Sequence, residues 1–324
     1  MSRPVLSLSV SPAVDPRQMV EVAMGARDWG YEAFWGAEVQ GPDAFTTLGA
    51  VAAMTDLDLG VAVVPVQTRT AFVLGMTAIS LSQLSGGRFS LGIGASSEVI
   101  VDRFAGQPFD KPLTHTREMF EALRPILRGE LSRYAGEYVH VAYRPHATPS
   151  QPVPLYIGAL NPKSLRTVGE VGADGLCLNQ VAPEHVARML DTVRDGAGGS
   201  LPSDFRVMAR LFCLVTDDVD AARGIVKHVF APYVATSVYN SFYRWMGYEE
   251  EAQGVLDAAG DRDAMAGALS DRLAADLFCI GDARSVVGRI REYGEAGLDI
   301  AAISPLALDR DGAVDTWKAI ADAW

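Results

Sequence analysis

A glycine-rich strand end is the part of this sequence best suited to holding a flat ligand. Residues 89–93 have the pattern of a short buried strand, and Gly92 and Gly94 leave its end without bulky side chains. The backbone of residues 95–97 can therefore approach a flat molecule closely. A dinucleotide-binding fingerprint would need a third glycine three residues after Gly94, and Ser97 stands there instead.

A second segment has the composition of a phosphate site. Pro162 suits the first turn of a helix, and residues 158–161 come directly before it. Backbone amides at a helix N-terminus, together with the helix dipole, can hold a phosphate. Lys163 and Arg166 are three residues apart, so both could face the same anion. The alternative is that these two are ordinary surface cations on the helix.

The order of elements predicts an α/β fold that brings such strand ends together. Strands are predicted at 4–10, 32–36, 58–64, 89–94, 153–158, 174–178, 206–215 and 298–303. Helices are predicted between them at 16–29, 43–55, 71–85, 114–128, 162–172, 183–195 and 284–296. Alternation of this kind is typical of a (β/α)8 TIM barrel, in which the strand ends line one mouth. A doubly wound open sheet is the alternative, but Ser-Pro-Ala-Val-Asp follows the first strand where that fold needs a glycine-rich turn.

One domain over residues 1–324 is predicted, with two insertions. Residues 129–152, rich in proline, tyrosine and histidine, form an irregular excursion between the fourth and fifth barrel strands. Residues 216–280, after the seventh strand, hold more helix than a crossover needs. Such segments are often lids or substrate walls, and a dimer contact is the alternative. The same two alternatives apply to an aromatic cluster in the second insertion, Phe242, Tyr243, Trp245 and Tyr248.

Composition excludes several classes of partner. The net charge of −12 argues against nucleic acid and anionic membrane surfaces, because too little positive charge is available to neutralise phosphates. We recognise no signal peptide and no run long enough to span a bilayer, so a cytoplasmic protein is predicted. The three cysteines are far apart in apolar surroundings and are expected to be buried thiols. No cysteine or histidine cluster has metal-ligand spacing, so no metal site is predicted.

Two segments carry a specific resemblance. Residues 82–113 begin Ser-Gln-Leu-Ser-Gly-Gly-Arg-Phe-Ser-Leu-Gly-Ile-Gly-Ala-Ser-Ser, and residues 154–178 include Leu-Tyr-Ile-Gly-Ala-Leu-Asn-Pro-Lys-Ser-Leu-Arg. Both resemble the luciferase-like monooxygenase superfamily, in particular its branch that uses the deazaflavin coenzyme F420. The similarity runs from the first strand to the eighth, whereas residues 216–275 are not specific. The resemblance implies a bacterial luciferase-like barrel, and such barrels are often homodimers.

The resemblance also implies a cofactor site. A carboxylate after the second strand often bonds the ring system or its side chain in deazaflavin enzymes, and Glu38 is at the matching position. Members commonly have a non-proline cis peptide in the third strand behind the central ring, which would be Ala62-Val63 here. The complete set of expected cofactor-binding residues is Glu38, Ala62, Val63, Ala95, Ser96, Gly158, Ala159, Asn161, Lys163 and Arg166.

The sequence departs from one group within that branch. Val39 replaces the histidine that follows the carboxylate in the sugar-phosphate dehydrogenases, and Ser97 stands where they have a glutamate. An oxidation of glucose 6-phosphate is therefore not expected. With no histidine at a predicted strand end, the proton would come from solvent, from Glu38 or from Glu98, and these two glutamates are the candidate catalytic residues.

These observations predict an oxidoreductase that passes hydride between F420 and a small organic substrate. The first alternative is a monooxygenase that uses flavin mononucleotide (FMN) and O2 on an apolar substrate, because the two cofactors have similar three-ring systems. The second alternative is a flavin- or deazaflavin-binding protein without turnover. The sequence identifies neither the substrate nor the direction of the reaction.

Overall fold

The computed structural model describes residues 3–324, so Met1 and Ser2 lie outside the described part of the predicted domain. Its strands are β1 Val5–Ser9, β2 Ala33–Gly36, β3 Asp58–Pro65, β4 Phe89–Gly94, β5 Ser132–Ala135, β6 His140–Tyr143, β7 Leu155–Gly158, β8 Gly175–Asn179, β9 Arg206–Val215, β10 Cys279–Gly281 and β11 Ile300–Pro305. Its α-helices are α1 Pro16–Gly25, α2 Ala44–Met54, α3 Ala71–Ser85, α4 Pro112–Ile126, α5 Pro162–Glu170, α6 Pro183–Gly196, α7 Val219–Val234, α8 Ser237–Trp245, α9 Glu249–Asp257, α10 Arg262–Gly267, α11 Asp271–Leu277, α12 Ala283–Glu295 and α13 Arg310–Ala323. None of the helices described is both long enough and apolar enough to cross a membrane.

Eight parallel strands close into a barrel, which confirms the predicted fold class. The order around the barrel is β1, β2, β3, β4, β7, β8, β9 and β11, and β11 pairs with β1 to close the circuit. Strand β10 lies outside this circuit. It pairs in parallel with the end of β9, with Cys279 opposite Cys213 in the register. Because all eight strands are parallel, their C-terminal ends form one mouth.

The predicted elements match the observed ones closely at the barrel and less well outside it. All eight predicted strands are present, and Gly86 and Gly87 end α3 with φ angles of 67° and 93°. The first predicted helix is wrong at its C-terminus, because α1 ends at Gly25 and a separate 3-10 turn covers Arg27–Trp29. Gly30, with a φ of 90°, ends that turn and redirects the chain into β2.

The two insertions have definite structure. Residues 129–152, expected to be irregular, contain the antiparallel hairpin of β5 and β6. Its strands are four residues long and include polar residues, so they lack the apolar run by which the barrel strands are recognised in sequence. Residues 216–280 contain helices α7 to α11 and strand β10.

The interior of the barrel is closed below the mouth by its own side chains. Trp35 of β2 and Tyr156 of β7 meet edge to face, with 5.4 Å between ring centroids. This inner cluster consists of Ala33, Trp35, Tyr156, Cys177, Met208 and Ala302. Since these side chains fill the lower barrel, a ligand can enter only from the C-terminal ends of the strands.

Candidate functional site

A large cavity lies at the C-terminal ends of the barrel strands, with a volume of about 810 Å³. Strands β3, β4, β7, β8 and β9 contribute to it, as do the residues directly after β2 and helices α4, α5, α7 and α8. Nine of the residues predicted from sequence line this cavity, namely Glu38, Ala62, Val63, Ala95, Ser96, Gly158, Ala159, Asn161 and Lys163. A cleft of this size holds a ligand of several rings.

The side of the cavity formed by β3, β4 and β7 is lined by small residues. The peptide bond between Ala62 and Val63 is cis, as the resemblance implies. The pairing of β3 with β4 shifts register between Val61 and Val64, so β3 bulges at this point. The side chain of Val63 fills the space above Gly158, where a Cβ atom would lie only 2.7 Å from Val63 Cγ1. Glycine at 158 is therefore required by close packing. Because no side chain projects from this position, this wall of the cavity is flat enough for a planar ring to lie against it.

The N-terminus of α5 opens onto the same cavity. Asn161 is its N-cap residue and Pro162 its first residue, and the Ser164 hydroxyl donates to the Asn161 carbonyl at 2.8 Å. Within residues 3–324, the amide of Lys163 donates to no protein acceptor and its ammonium forms no ion pair. The amide of Asn161 is taken by the Ser164 hydroxyl at 3.2 Å and that of Ala159 by the Cys177 carbonyl at 3.3 Å, so the amide and ammonium of Lys163 are the groups here suited to a phosphate.

Glu38 is held at the cavity rim by an arginine that the sequence analysis did not identify. Arg69 Nε donates to one carboxylate oxygen at 3.2 Å, and Arg69 Nη2 donates to the other at 2.5 Å. Arg69 also bonds Asp43, and its guanidinium carbon lies 4.7 Å from the ring centroid of Phe45. The hydrogen bond to Glu38 raises the pKa of Arg69. Because both of its oxygens accept from a cation, Glu38 is held in place at the rim, where its carboxylate can accept further hydrogen bonds.

Two predicted site residues lie outside the cavity lining. Glu98 is exposed at the start of a π-helical turn, Val99–Phe104, that follows β4. Arg166 is exposed on α5, and its Nη2 lies 3.9 Å from Asp195. The structure thus groups Lys163 with the strand ends and directs Arg166 towards α6.

Polar residues form the other side of the cavity, and none of them is among the residues predicted from sequence to bind the cofactor. Asn179 Nδ2 donates to the hydroxyl of Tyr239 at 2.8 Å, and Tyr243 donates to Gln180 at 2.8 Å. Burial raises the pKa of Tyr239 to about 12, and the bond from Asn179 opposes the shift. Arg210 of β9 lines the same side. A charged residue within the apolar run 207–215 was the signal that could have identified it.

The described residues offer no metal chemistry. Within residues 3–324 no group of three or more histidine, cysteine or acidic side chains could hold a metal ion. No histidine of that part of the chain lines the cavity, and all three cysteines are buried and free.

Comparison with known proteins identifies the family. Residues 3–299 match the sequence profile named luciferase-like monooxygenase. The chain belongs to the luciferase-like monooxygenase family. The chain of this luciferase-like protein is 30% identical over 280 residues to a 5,10-methylenetetrahydromethanopterin reductase of Methanolobus tindarius, covering 84% of this chain and 85% of the relative. It is 28% identical over 330 residues to Rv3520c of Mycobacterium tuberculosis, whose name describes it as an inferred coenzyme F420-dependent oxidoreductase, covering 92% of this chain and 94% of the relative.

Solved structures of other family members share the fold of this luciferase-like barrel. The coenzyme F420-dependent tetrahydromethanopterin reductase from Methanopyrus kandleri superposes with a TM-score of 0.83 at 23% identity, covering 99% of this chain and 98% of that one. An F420-dependent secondary alcohol dehydrogenase in complex with an F420-acetone adduct gives a TM-score of 0.80 at 18% identity, covering 99% of both chains. At these identities the similarity establishes the fold.

Proposed function

We propose that this luciferase-like protein is an oxidoreductase that transfers hydride between coenzyme F420 and a small organic substrate. The observation that carries the proposal is the match of nearly the whole chain to relatives named for F420-dependent reactions, at 28% identity over 92% of the chain for the mycobacterial protein. The cavity supports it, because its small-residue side and the free α5 N-terminus suit a tricyclic ring and a phosphate.

The residues present fit such a cofactor. Ala62 and Val63 offer a surface for the ring, the ammonium and backbone amide of Lys163 would hold the phosphate, and Glu38 would accept hydrogen bonds at the rim. F420, when bound, supplies a ring carbon that exchanges hydride in a two-electron step. The protein binds both partners and orients them for the transfer.

Of the two glutamates proposed to take part in catalysis, Glu38 serves better as a hydrogen-bond acceptor, given its ion pair with Arg69. Proton delivery from Glu98 would need a path through solvent, because its side chain lies outside the cavity lining. Direct delivery from solvent at the open mouth is therefore the simplest route.

Cytoplasmic location and a homodimeric state belong to the same proposal. Helix α3 supports the proposed homodimer, because its apolar side chains Phe72, Val73 and Met76 are partly exposed. Sedimentation equilibrium of the purified protein measures the oligomeric mass directly.

Titration of the purified protein with each cofactor tests the proposed function. We expect F420 to bind measurably and FMN to bind much more weakly, with the change in cofactor fluorescence as readout. Tighter binding of FMN would favour the monooxygenase alternative instead. Binding of F420 without any turnover on a panel of ketones, alcohols and acids would favour a carrier protein.

Replacement of Lys163 by alanine should weaken F420 binding by about 10- to 150-fold, because it removes a charge-assisted contact worth about 1.5–3 kcal/mol. Arg166→Ala is the matched control on the same helix, since Arg166 is paired with Asp195 and lies outside the cavity. We expect that control to change affinity by less than about 3-fold. Equal losses in the two variants, or unchanged affinity for Lys163→Ala, would show that α5 does not hold the phosphate through Lys163.

A further inference from the structure

A partly buried arginine on β9, Arg210, faces the cavity, and no acidic side chain of residues 3–324 pairs with it. Arg210 Nε and Nη2 donate to the Ser304 hydroxyl at 3.2 and 3.0 Å, and Nη2 also donates to the Val10 carbonyl at 3.4 Å. Within residues 3–324 no aspartate or glutamate oxygen lies within 4.0 Å of its nitrogens, and its Nη1 has no protein acceptor. The guanidinium carbon lies 4.7 Å from the ring centroid of Phe212.

This environment is costly for a cation that cannot lose its proton. Burial lowers the pKa of Arg210, whereas nearby Tyr233 and Tyr239 oppose the shift. A guanidinium nevertheless stays charged in proteins, so its desolvation cost is offset, among the described residues, by hydrogen bonds to neutral oxygens and by the ring of Phe212. The contrast with Arg69 is direct, because that arginine bonds two carboxylates. An anion brought into the cavity would supply the partner that Arg210 lacks.

Two further polar groups beside this arginine are also unsatisfied. Asn179 Oδ1 and Gln180 Nε2 are buried, and neither has a hydrogen-bond partner among the described residues. Gln180 is 2% exposed and has a φ of 51°, which is uncommon for a residue with a side chain. Buried polar atoms are nearly always paired in folded proteins, so an unpaired donor and acceptor at a cavity wall indicate that a ligand completes them.

The barrel topology puts this polar group on the substrate side. Strand β9 is four strands away from β3 in either direction around the eight-stranded circuit, so Arg210 lies across the mouth from Ala62 and Val63. A ring resting against β3 would leave its other face turned towards β9. The space there is bounded by the aromatic side chains Phe212, Tyr233 and Trp245. A hydride donor and acceptor must meet face to face, so the second substrate has to occupy this space.

We propose that Arg210 anchors a carboxylate of the second substrate, and that the substrate class is small acids with an apolar body. This inference rests on the proposed function for the identity of the ring on β3. The carboxylate binds the open Nη1 end of the guanidinium, and Gln180 Nε2 offers a further donor. The apolar body of the acid packs on the aromatic walls, which hold the carbon that exchanges hydride over the ring.

The test uses phenyl-substituted acids of increasing chain length, from benzoate to 4-phenylbutanoate, each paired with its neutral amide. Affinities are measured by calorimetry on the F420-loaded protein and on the ligand-free protein. We expect at least one acid to bind about 10-fold or more tightly than its amide, and Arg210→Met to weaken that acid by about 10- to 150-fold while leaving the amide nearly unchanged. Arg88→Met is the control, because Arg88 is also partly buried and bonds backbone carbonyls, but it stands before β4 at the opposite end of the barrel.

Several outcomes would overturn the inference. The first is that the wild-type protein binds acids and amides equally at every chain length. The second is that the preference for acids persists in Arg210→Met. The third is that this variant loses as much affinity for F420 as it loses for the acid. If Arg210→Met does not fold, Arg210→Lys replaces it in the test. This variant retains the charge, so its affinity for the acid should fall by a smaller factor. A wild-type protein that fails to bind F420, yet prefers acids in an Arg210-dependent way, would reject the proposed function and keep the anion site.

Discussion

Replacement of Ala62 by leucine should abolish measurable F420 binding, a loss of more than about 100-fold. Ala62 lines the cavity on β3, opposite the polar wall, and its methyl group is partly exposed. A leucine side chain would occupy the volume in which we propose that the ring lies, and packed protein cannot absorb three extra carbon atoms without displacing a ligand. Fluorescence titration with F420 measures the loss.

Two controls separate a blocked site from a damaged fold. Ala62→Ser adds a single oxygen atom. Its affinity for F420 should be within about 3-fold of that of the wild-type protein, because the serine side chain extends little further into the cavity than alanine does. The thermal unfolding midpoint of ligand-free Ala62→Leu should be close to that of the wild-type protein, since the new side chain projects into the cavity. Normal F420 binding by Ala62→Leu would remove β3 from the cofactor site.

The barrel and the small-residue side of the mouth were predictable from sequence for a simple physical reason. Each barrel strand is an apolar run bounded by turn residues, and strands that are buried on both faces give that signal strongly. The glycines at the end of β4 and Gly158 at the end of β7 indicate close packing. That packing depends on only a few neighbouring residues. Val63 packs against both Gly94 and Gly158, so the three positions constrain one another.

The polar side of the site could not be predicted in the same way, because it depends on contacts between distant parts of the chain. Arg69 is 31 residues from Glu38, and their ion pair forms only once the ends of β2 and β3 lie side by side. Arg210 is 94 residues from Ser304 and 200 from Val10. The sequence shows a charged residue inside an apolar strand, and only the closed barrel shows that no carboxylate of residues 3–324 pairs with it.

The helices of the second insertion, residues 216–280, have two roles that the amino-acid composition did not distinguish. Phe242 and Tyr243 are fully buried and Tyr243 bonds Gln180 after β8, whereas Trp245 lines the cavity with Arg188 over its ring at 3.9 Å. The same helix α8 therefore packs into the insertion on one face and walls the mouth on the other. Helical periodicity separates these faces, but it does not say which of them meets the barrel.

Outside the site, one buried carboxylate holds the β5–β6 hairpin onto α4. Glu118 is 7% exposed and accepts three backbone N–H bonds from the hairpin turn, from Glu137 at 2.8 Å, Tyr138 at 2.7 Å and Val139 at 3.0 Å. A Cβ atom on Gly136 would lie 2.4 Å from this carboxylate, so the turn closes directly over it. Burial alone would raise the pKa of Glu118, but the three N–H bonds outweigh burial and the pKa lies below its ordinary value.

Replacement of Glu118 by alanine should lower the free energy of unfolding by about 3 kcal/mol, because it leaves three amide donors without their acceptor. Glu118→Gln keeps the volume and should cost less, about 1–2 kcal/mol. Glu121→Gln is the matched control on the same helix, since within the described part of the chain Glu121 accepts a single hydrogen bond, from the Tyr134 hydroxyl, and it should change stability by less than about 0.5 kcal/mol. Urea unfolding and the hydrogen-exchange rates of the three amides measure these effects.

The pH dependence of the same site has a definite sign. A carboxylate whose pKa is lower in the folded state binds fewer protons there than in the unfolded chain, so its stabilising contribution is fully present above the ordinary value of 4.5. That contribution is lost as the pH falls from 4.5 through the lower folded-state pKa. The stability difference between the wild-type protein and Glu118→Gln should therefore be constant near neutral pH and should shrink below pH 4.5. A difference that stays constant through that range, or that grows in acid, would show that the hairpin is held by packing and that the charge of Glu118 contributes nothing to it.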